Sequence, residues 1–343
     1  MGKEPQASSD AELRPRPVLY SLVVISAAVA VFAYGLRTEG IFACPAASYS
    51  SDQYLAYCNS LAYGDYDHGA FWFDLEPNAT KFATAADVMF VGNSRMQFAF
   101  STAATKEWFD ATERSYYLLG FSHTENSAFV APLLSTLQPR ASVYIVNVDR
   151  FFDDHETPPA AEILHGAGTE SRYRRKRFWQ EPHRVVCGAI PRLCGHELTF
   201  FRARSDGRWR FAGADDLVGS GVGNGPPTDQ ESWARYERQA TEFLASLHAD
   251  PGCIIFTIVP TQQTRHAEAS AIAASVGYDL VAPDFEDLRL RTFDGSHLDP
   301  PSAQRWSQRF FDVAGPLIRK CLDRTAGGAS DSLNRLAGPR RSD

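Results

Sequence analysis

From residue 87 onward, short apolar runs alternate with amphipathic segments of helical length. Apolar runs bounded by turn residues are typical of buried strands, and helices between such strands are typical of βαβ units. We predict strands at Asp87–Val91, Ser115–Leu119, Ser142–Val148, Cys253–Val259 and Tyr278–Val281. We predict helices near 95–109, 124–138, 229–248, 263–276 and 301–322. The pattern therefore predicts an α/β fold built on a parallel sheet.

Other parts of the chain lack this alternation. Residues 38–84 show no sustained periodicity and are predicted to form an irregular lead-in to a domain that spans residues 85–322. Residues 150–228 interrupt that domain, and because so long a connection is usually functional or separately folded, we expect an inserted subdomain or lid over the carboxyl edge of the sheet. The polar residues 1–17 and the tail 325–343 are predicted to be disordered.

Residues 18–36 carry no charge and are close to the roughly 20 residues that a helix needs to cross a bilayer. Lys3, Arg14 and Arg16 precede this stretch, and only Arg37 follows it closely. Because positive charge stays in the cytoplasm, we predict a single-pass anchor in the inner (cell) membrane, with a cytoplasmic N-terminal tail and the rest of the chain on the periplasmic side. The alternative is a cleaved signal peptide, although the stretch is long for one and no small-x-small site follows it directly.

An extracytoplasmic location changes the interpretation of the cysteines. Cys44 and Cys58 lie in one segment, and Cys187 and Cys194 lie in another. Outside the cytoplasm, close pairs of this kind are usually disulfides. We therefore predict the disulfides Cys44–Cys58 and Cys187–Cys194, and the pairing of the remaining two cysteines stays open.

Two stretches carry candidate chemistry. In VMFVGNSR, Ser94 lies at the carboxyl end of the first predicted strand, where open α/β sheets hold their ligands. A serine there can also simply cap the next helix. In FDGSHLDPP, His297 follows Asp294 by three residues, and a nucleophilic serine needs such a base together with a carboxylate that orients it. Asp299 precedes two prolines and is expected to cap the last helix.

The strand followed by GNSR and the DGSHLD segment before the last helix resemble the SGNH (GDSL-like) hydrolase superfamily. The resemblance spans about residues 85–322 and is closest to its membrane-anchored bacterial members. It implies a flavodoxin-like three-layer α/β/α fold. It also implies a catalytic triad in which Ser94 is the nucleophile, His297 the base and Asp294 the orienting acid, with no metal and no organic cofactor.

The resemblance is weaker where the family builds its oxyanion hole. It implies that the Ser94 N–H is one donor. At the second motif the aligned position is His123, with Gly120 three residues earlier. At the third motif Asn147 lies two residues before the aligned position, which is Asp149, and an ionised aspartate cannot donate a hydrogen bond. Gly120, His123 and Asn147 are therefore the remaining candidates for oxyanion or substrate binding.

These features predict a serine-dependent acyl-ester hydrolase or O-acyltransferase. It would act outside the cytoplasm on an acylated cell-envelope glycan or another ester, through an acyl-Ser94 intermediate. The alternative is a non-catalytic envelope protein that keeps the same scaffold to bind glycan or hold a partner.

Charge adds two constraints. The net charge of −7 argues against nucleic acid as the main partner. The basic run RYRRKRF, residues 172–178, is either a solvated loop face or a contact with anionic glycan or phospholipid headgroups.

Overall fold

The computed structural model describes residues 17–38, 40–46, 50–212, 219–226, 230–247 and 253–336. The strands in these ranges are β1 Gln53–Cys58, β2 Gly64–Asp65, β3 Val88–Asn93, β4 Tyr116–Phe121, β5 Val143–Asn147, β6 Thr199–Ala203, β7 Trp209–Ala212, β8 Ser220–Gly221, β9 Ile254–Thr257 and β10 Arg291–Thr292. The α-helices are α1 Pro17–Thr38, α2 Asp67–Trp72, α3 Pro77–Ala85, α4 Ser94–Phe100, α5 Ala103–Thr112, α6 Ser127–Leu137, α7 Pro158–His165, α8 Thr169–Ala189, α9 Gln230–Ser246, α10 His266–Ser275 and α11 Pro300–Leu336.

A parallel sheet with the strand order β4-β3-β5-β9 forms the centre of the domain, as predicted. The strand predicted at Tyr278–Val281 is reduced to a single parallel bridge between Phe256 and Leu280. The helix predicted near 95–109 is divided into α4 and α5, because the Thr102 side chain accepts a hydrogen bond from the Thr105 N–H and starts a second helix.

The parallel sheet is covered on both faces. Val91 belongs to an apolar cluster that includes Phe129 of α6 and Phe243 of α9. Phe90, its neighbour on β3, belongs to a second cluster that includes Phe310 of α11. Burial on both faces explains why these strands appear in the sequence as continuous apolar runs.

The lead-in is not irregular as predicted, because it builds a second sheet together with the insertion. Strand β1 of the lead-in pairs antiparallel with β6 of the insertion, and the sheet order is β2-β1-β6-β7. The segment 38–84 is therefore not irregular, and 150–228 is more than a lid. The strand β1, QYLAYC, is buried along most of its length, so it lacks the alternation that reveals a half-buried strand.

Arg202 of β6 attaches the second sheet to the edge strand β4 of the first. Its guanidinium donates hydrogen bonds to the carbonyls of Leu118 and Gly120 and to the carboxylate of Asp67. The Leu118 N–H donates to the Asp206 carbonyl at 3.0 Å. These contacts satisfy backbone groups that an open sheet edge would leave exposed.

The final helix also corrects the sequence prediction. Helix α11 runs to Leu336, so residues 325–336 are helical rather than disordered, and 337–343 lie outside the described residues. Extending an existing helix costs far less free energy than nucleating one, which allows a polar segment with two glycines to continue it. Of the N-terminal tail, residues 1–16 lie outside the described residues, and Pro17 begins α1.

Helix α1 contains an apolar span of 19 residues, Pro17–Gly35, which is long and apolar enough to cross a membrane. This criterion uses length and composition only, and a signal sequence meets it as well.

The cysteine pairs lie at disulfide distance, as predicted. The Cα atoms are 6.0 Å apart for Cys44–Cys58 and 5.7 Å apart for Cys187–Cys194, and both pairs are bonded. Cys253 and Cys321 are buried and lie outside these disulfides.

We expect peptide mapping without reduction to recover both crosslinks from protein isolated from its native compartment. Cys44→Ser should lower the free energy of unfolding by about 3 kcal/mol, as expected for a crosslink that closes a loop of about 15 residues. The Cys44→Ser/Cys58→Ser double variant should lose about as much as either single variant, because each removes the same bond. Free thiols at all four positions would contradict both the pairing and the extracytoplasmic location.

Candidate active site

Ser94 lies at the junction between β3 and α4. Asn93, not Ser94, caps α4, since its Oδ1 accepts the Arg95 N–H at 3.0 Å. The Asn93 Nδ2 donates to the carbonyl of Asp149 at 2.9 Å and so ties this turn to the loop after β5. Ser94 is therefore not needed as the cap, and its hydroxyl is available for another contact.

The loop after β10 is closed on itself by Asp294. One carboxylate oxygen, Oδ1, accepts the N–H groups of Ser296 at 2.9 Å and His297 at 2.8 Å. Gly295 adopts a φ of 83°, a left-handed conformation that glycine adopts without steric cost. The loop geometry therefore holds the Asp294 and His297 side chains side by side.

The structure brings Ser94, His297 and Asp294 together. The Ser94 Oγ lies 2.8 Å from the His297 Nε2, and the His297 Nδ1 lies 2.6 Å from the Asp294 Oδ2. We assign the proton to Nδ1, where it meets the carboxylate, which leaves Nε2 to accept from the serine hydroxyl. The imidazole is held between two rings, with Phe98 at 4.9 Å and Phe293 stacked at 5.4 Å.

The ionisation of Asp294 suits an orienting role. Burial alone would raise its pKa, but the hydrogen bond from His297, the charge of that ring and the two loop N–H groups lower the pKa to about 2. Asp294 is therefore ionised throughout the neutral range and can stabilise an imidazolium on His297.

One of the predicted oxyanion candidates already donates its hydrogen bond elsewhere, and a second is only partly paired. The Gly120 N–H donates to the Gln97 Oε1 at 3.0 Å inside the protein. Asn147 is fully buried and its Oδ1 accepts the Val259 N–H at 3.0 Å, although its Nδ2 has no hydrogen-bond partner within the described ranges. The Ser94 N–H, at the first position of α4, has no acceptor inside its own helix and remains the one predicted donor at the nucleophile.

His123 is connected to His297 through a series of aromatic contacts. His123 is exposed on the loop after β4 with a φ of 62°, and its ring meets the edge of Tyr57 at 5.7 Å. Tyr57 stacks on Phe200, whose ring contacts Phe98 at 5.3 Å. A row of aromatic rings therefore links His123 to the ring that supports His297.

Arg95, the residue after Ser94, was not predicted from the sequence as part of the site. Its Nε donates to the Ser296 Oγ at 2.8 Å, and its Nη1 donates to the Asp149 carboxylate. The arginine side chain is 18 % exposed and that of Asp149 only 4 %. Arg95 thus connects the turn that carries Ser94 with the loop that carries His297. The arginine in GNSR was the only signal for this role.

A second Asp-x-x-His segment, also missed, is fully buried. The His68 Nδ1 lies 2.9 Å from Asp65 and its Nε2 lies 2.8 Å from Glu125. Burial opposes protonation of His68, but the charges and hydrogen bonds of the two carboxylates outweigh it and raise the pKa to about 10. Ser122 donates to the Asp65 Oδ2 at 3.0 Å. The cluster therefore fixes both ends of the 122–125 loop that carries His123.

One group of side chains has the spacing of a metal site. The ligand atoms of His183, Cys187 and Cys194 lie within 4.8 Å of one another. Because the two sulfurs are bonded to each other, they cannot serve as thiolate ligands.

A cavity of about 420 Å³ lies next to the triad. Phe98 and Leu298 line it together with Trp209, Phe211 and Ala303. The Phe98 ring is shared, because it lines this cavity and also contacts His297. The cavity can hold an apolar part of a ligand, and only the Phe98 ring then lies between that part and His297.

No family model, curated protein or solved structure matches this chain. What the site does is therefore argued from its geometry.

We expect the His68 imidazolium to keep its proton above pH 8. Its folded-state pKa of about 10 exceeds the ordinary value of 6.5, so its contribution to stability is complete below pH 6.5 and is lost as the pH rises through 10. Nitrogen-15 NMR of histidine-labelled protein should show one ring that stays doubly protonated. Glu125→Gln should lower that midpoint, whereas Glu113→Gln, at an exposed acid, should not. If every histidine ring in the protein became singly protonated below pH 8, the assignment would be contradicted.

Proposed function

We propose that this chain is a serine-dependent acyl-ester hydrolase or O-acyltransferase that works through an acyl-Ser94 intermediate. The observation that carries the proposal is the contact of Ser94 with His297 and of His297 with Asp294, from segments at opposite ends of the domain. An isolated helix-capping serine would not need a histidine whose ring is oriented by a carboxylate contact.

The geometry supports an acyl transfer in two halves. As the Ser94 Oγ attacks the ester carbonyl, the His297 Nε2 takes its proton and Asp294 stabilises the imidazolium. The Ser94 N–H donates to the oxygen that gains negative charge. His297 then protonates the leaving alkoxide, and the acyl group stays on Ser94. Water or a sugar hydroxyl, deprotonated by the same imidazole, releases it as free acid or as a new ester.

The strand order supports the SGNH-type, flavodoxin-like assignment. The order β4-β3-β5-β9 corresponds to the first four positions of the doubly wound order 2-1-3-4-5, with the Leu280 bridge at the fifth. Helices on both faces of the sheet are consistent with three layers. In this fold ligands bind beyond the carboxyl ends of the strands, where Ser94 follows β3.

We place the enzyme on the extracytoplasmic side of the cell membrane, anchored by α1. The apolar span, the basic residues before it and the two disulfides support this location. The substrate class that fits is an acylated cell-envelope glycan or another ester.

One observation favours the alternative of a non-catalytic glycan-binding or scaffold protein. Because the Gly120 N–H already donates to Gln97, one donor of the predicted oxyanion set is lost. Loss of one such donor costs about 3 kcal/mol of transition-state stabilisation. If the protein is non-catalytic, Ser94, His297 and Asp294 should be in contact, but the protein should not turn over an ester.

We expect Ser94→Ala to abolish both turnover of a short-chain aryl ester and labelling by a fluorophosphonate. His297→Ala should cost about as much, and the double variant little more, because triad members act as a unit. Asp294→Asn should leave only a low residual turnover, because it removes the control of the imidazole tautomer. Asp299→Asn is the matched control. Its Oδ1 accepts the Ser302 N–H at 2.8 Å as a helix cap, and asparagine caps equally well.

Turnover that survives Ser94→Ala would show that the nucleophile is wrong. Wild-type protein that is folded but shows neither turnover nor labelling would favour the binding-protein alternative. Addition of envelope oligosaccharides to the acyl-enzyme separates the two enzyme classes, since an acylated sugar means transfer and free acid alone means hydrolysis.

Arg95 is proposed as a positioning residue for the triad. Arg95→Met should lower kcat by up to roughly a hundredfold with little change in KM, because it releases the loop that holds His297. Ser296→Ala should lower kcat less, since the Asp149 contact of Arg95 remains. Arg140→Met, at an exposed arginine, is the control. A raised KM with unchanged kcat would contradict positioning and indicate that Arg95 binds substrate.

A further inference from the structure

Helix α8 lies where α1 meets the rest of the domain. Gly35, at the end of the apolar span, packs against the indole of Trp179, where an added Cβ would lie 2.2 Å from a ring carbon. One turn earlier, the Phe32 ring contacts that of Phe42 at 5.1 Å. Because Trp179 is in the middle of α8, this helix runs beside the last turn of the apolar span.

Large apolar side chains are exposed on α8 and on the turn that follows it. Phe178 is 65 % exposed, Val185 56 %, Ile190 52 % and Leu193 46 %. Phe178 and Val185 are seven residues apart and therefore share one helix face. The Cys187–Cys194 disulfide holds the following turn against the end of the helix. Exposed apolar patches of this kind usually mark a surface that is covered in the working protein.

The same helix concentrates positive charge in a chain whose net charge is −7. Its only acidic residues are Glu170 and Glu181. Its exposed basic residues are Arg172, Arg174, Arg175 and Arg184. Arg177 is half-buried, and Lys176 is buried and donates to the Asp65 carbonyl. A basic helix with exposed aromatic and aliphatic residues is typical of a helix that lies at the surface of an anionic membrane.

We propose that α8 lies along the bilayer surface, with Phe178, Val185 and the 190–193 turn inserted among anionic lipid headgroups. We expect lipid to cover the exposed face of α8, because Trp179 of this helix contacts Gly35 at the end of the apolar span. The face therefore lies at the level where α1 enters the membrane. The basic run in the sequence then has a function beyond solvation. The inference rests on the proposed membrane anchoring of α1, but not on the catalytic activity.

The test uses the full chain in nanodiscs that contain phosphatidylglycerol. A nitroxide is attached at one of three positions through Val24→Cys, Phe178→Cys or Val313→Cys. Val24 lies in the apolar span, and Val313 is exposed on α11, which packs on the opposite face of the parallel sheet. We expect the labels at 24 and 178 to be more accessible to oxygen than to a water-soluble nickel chelate, and the label at 313 to show the reverse. In phosphatidylcholine alone, protection at 178 should weaken.

The outcomes separate the surface contact from the anchor. Lipid exposure at 24 together with water exposure at 178 would overturn the α8 proposal and leave the anchor intact. Water exposure at 24 would overturn both. If the label at 178 is equally protected from the nickel chelate in both lipids, anionic headgroups are not required for the contact. Magnetic coupling between labels at 178 on two chains would assign this face to a second copy instead.

Discussion

The attachment of the two sheets depends on one buried ion pair. Arg202 and Asp67 are both essentially excluded from solvent. Removing two charges from water costs several kcal/mol per ion, which only good geometry and additional hydrogen bonds can offset. Here the guanidinium meets both carboxylate oxygens and two carbonyls of the edge strand β4. Loss of the arginine would leave a buried carboxylate and two strand carbonyls without their partner.

The residue next to Asp67 in the chain, His68, belongs to a second buried cluster of charged groups. His68 follows Asp67 and, with Asp65 and Glu125, holds the loop after β4. The chain therefore uses the Asp-x-x-His spacing twice. In both places the aspartate orients the Nδ1 of the histidine. The group that contacts Nε2 decides whether the ring stays charged or can act as a base. A second buried carboxylate at Nε2 fixes a permanent cation, whereas the Ser94 hydroxyl leaves a base that can accept a proton.

Sequence reasoning succeeded where the signal was local. The parallel strands are continuous apolar runs, and the three residues that the structure brings into contact, Ser94, His297 and Asp294, lie in two short segments. It failed where distant segments decide the structure. Nothing near β1 indicates that β6 is its partner. Likewise, the position of Gly120 near the second motif could not reveal that Gln97 already accepts its N–H.

The close packing of Gly35 against Trp179 has a mechanical consequence. In a membrane protein with a flexible linker between the anchor and the domain, the active site can move over a range of distances from the bilayer. The linker length sets that range. Here the last turns of α1 belong to the same apolar cluster as the domain, through Phe32 and Phe42. In the proposed setting the anchor and the domain tilt and rotate as one body. The site then works at a constant height above the bilayer, and its substrates are limited to esters that reach that layer of the envelope.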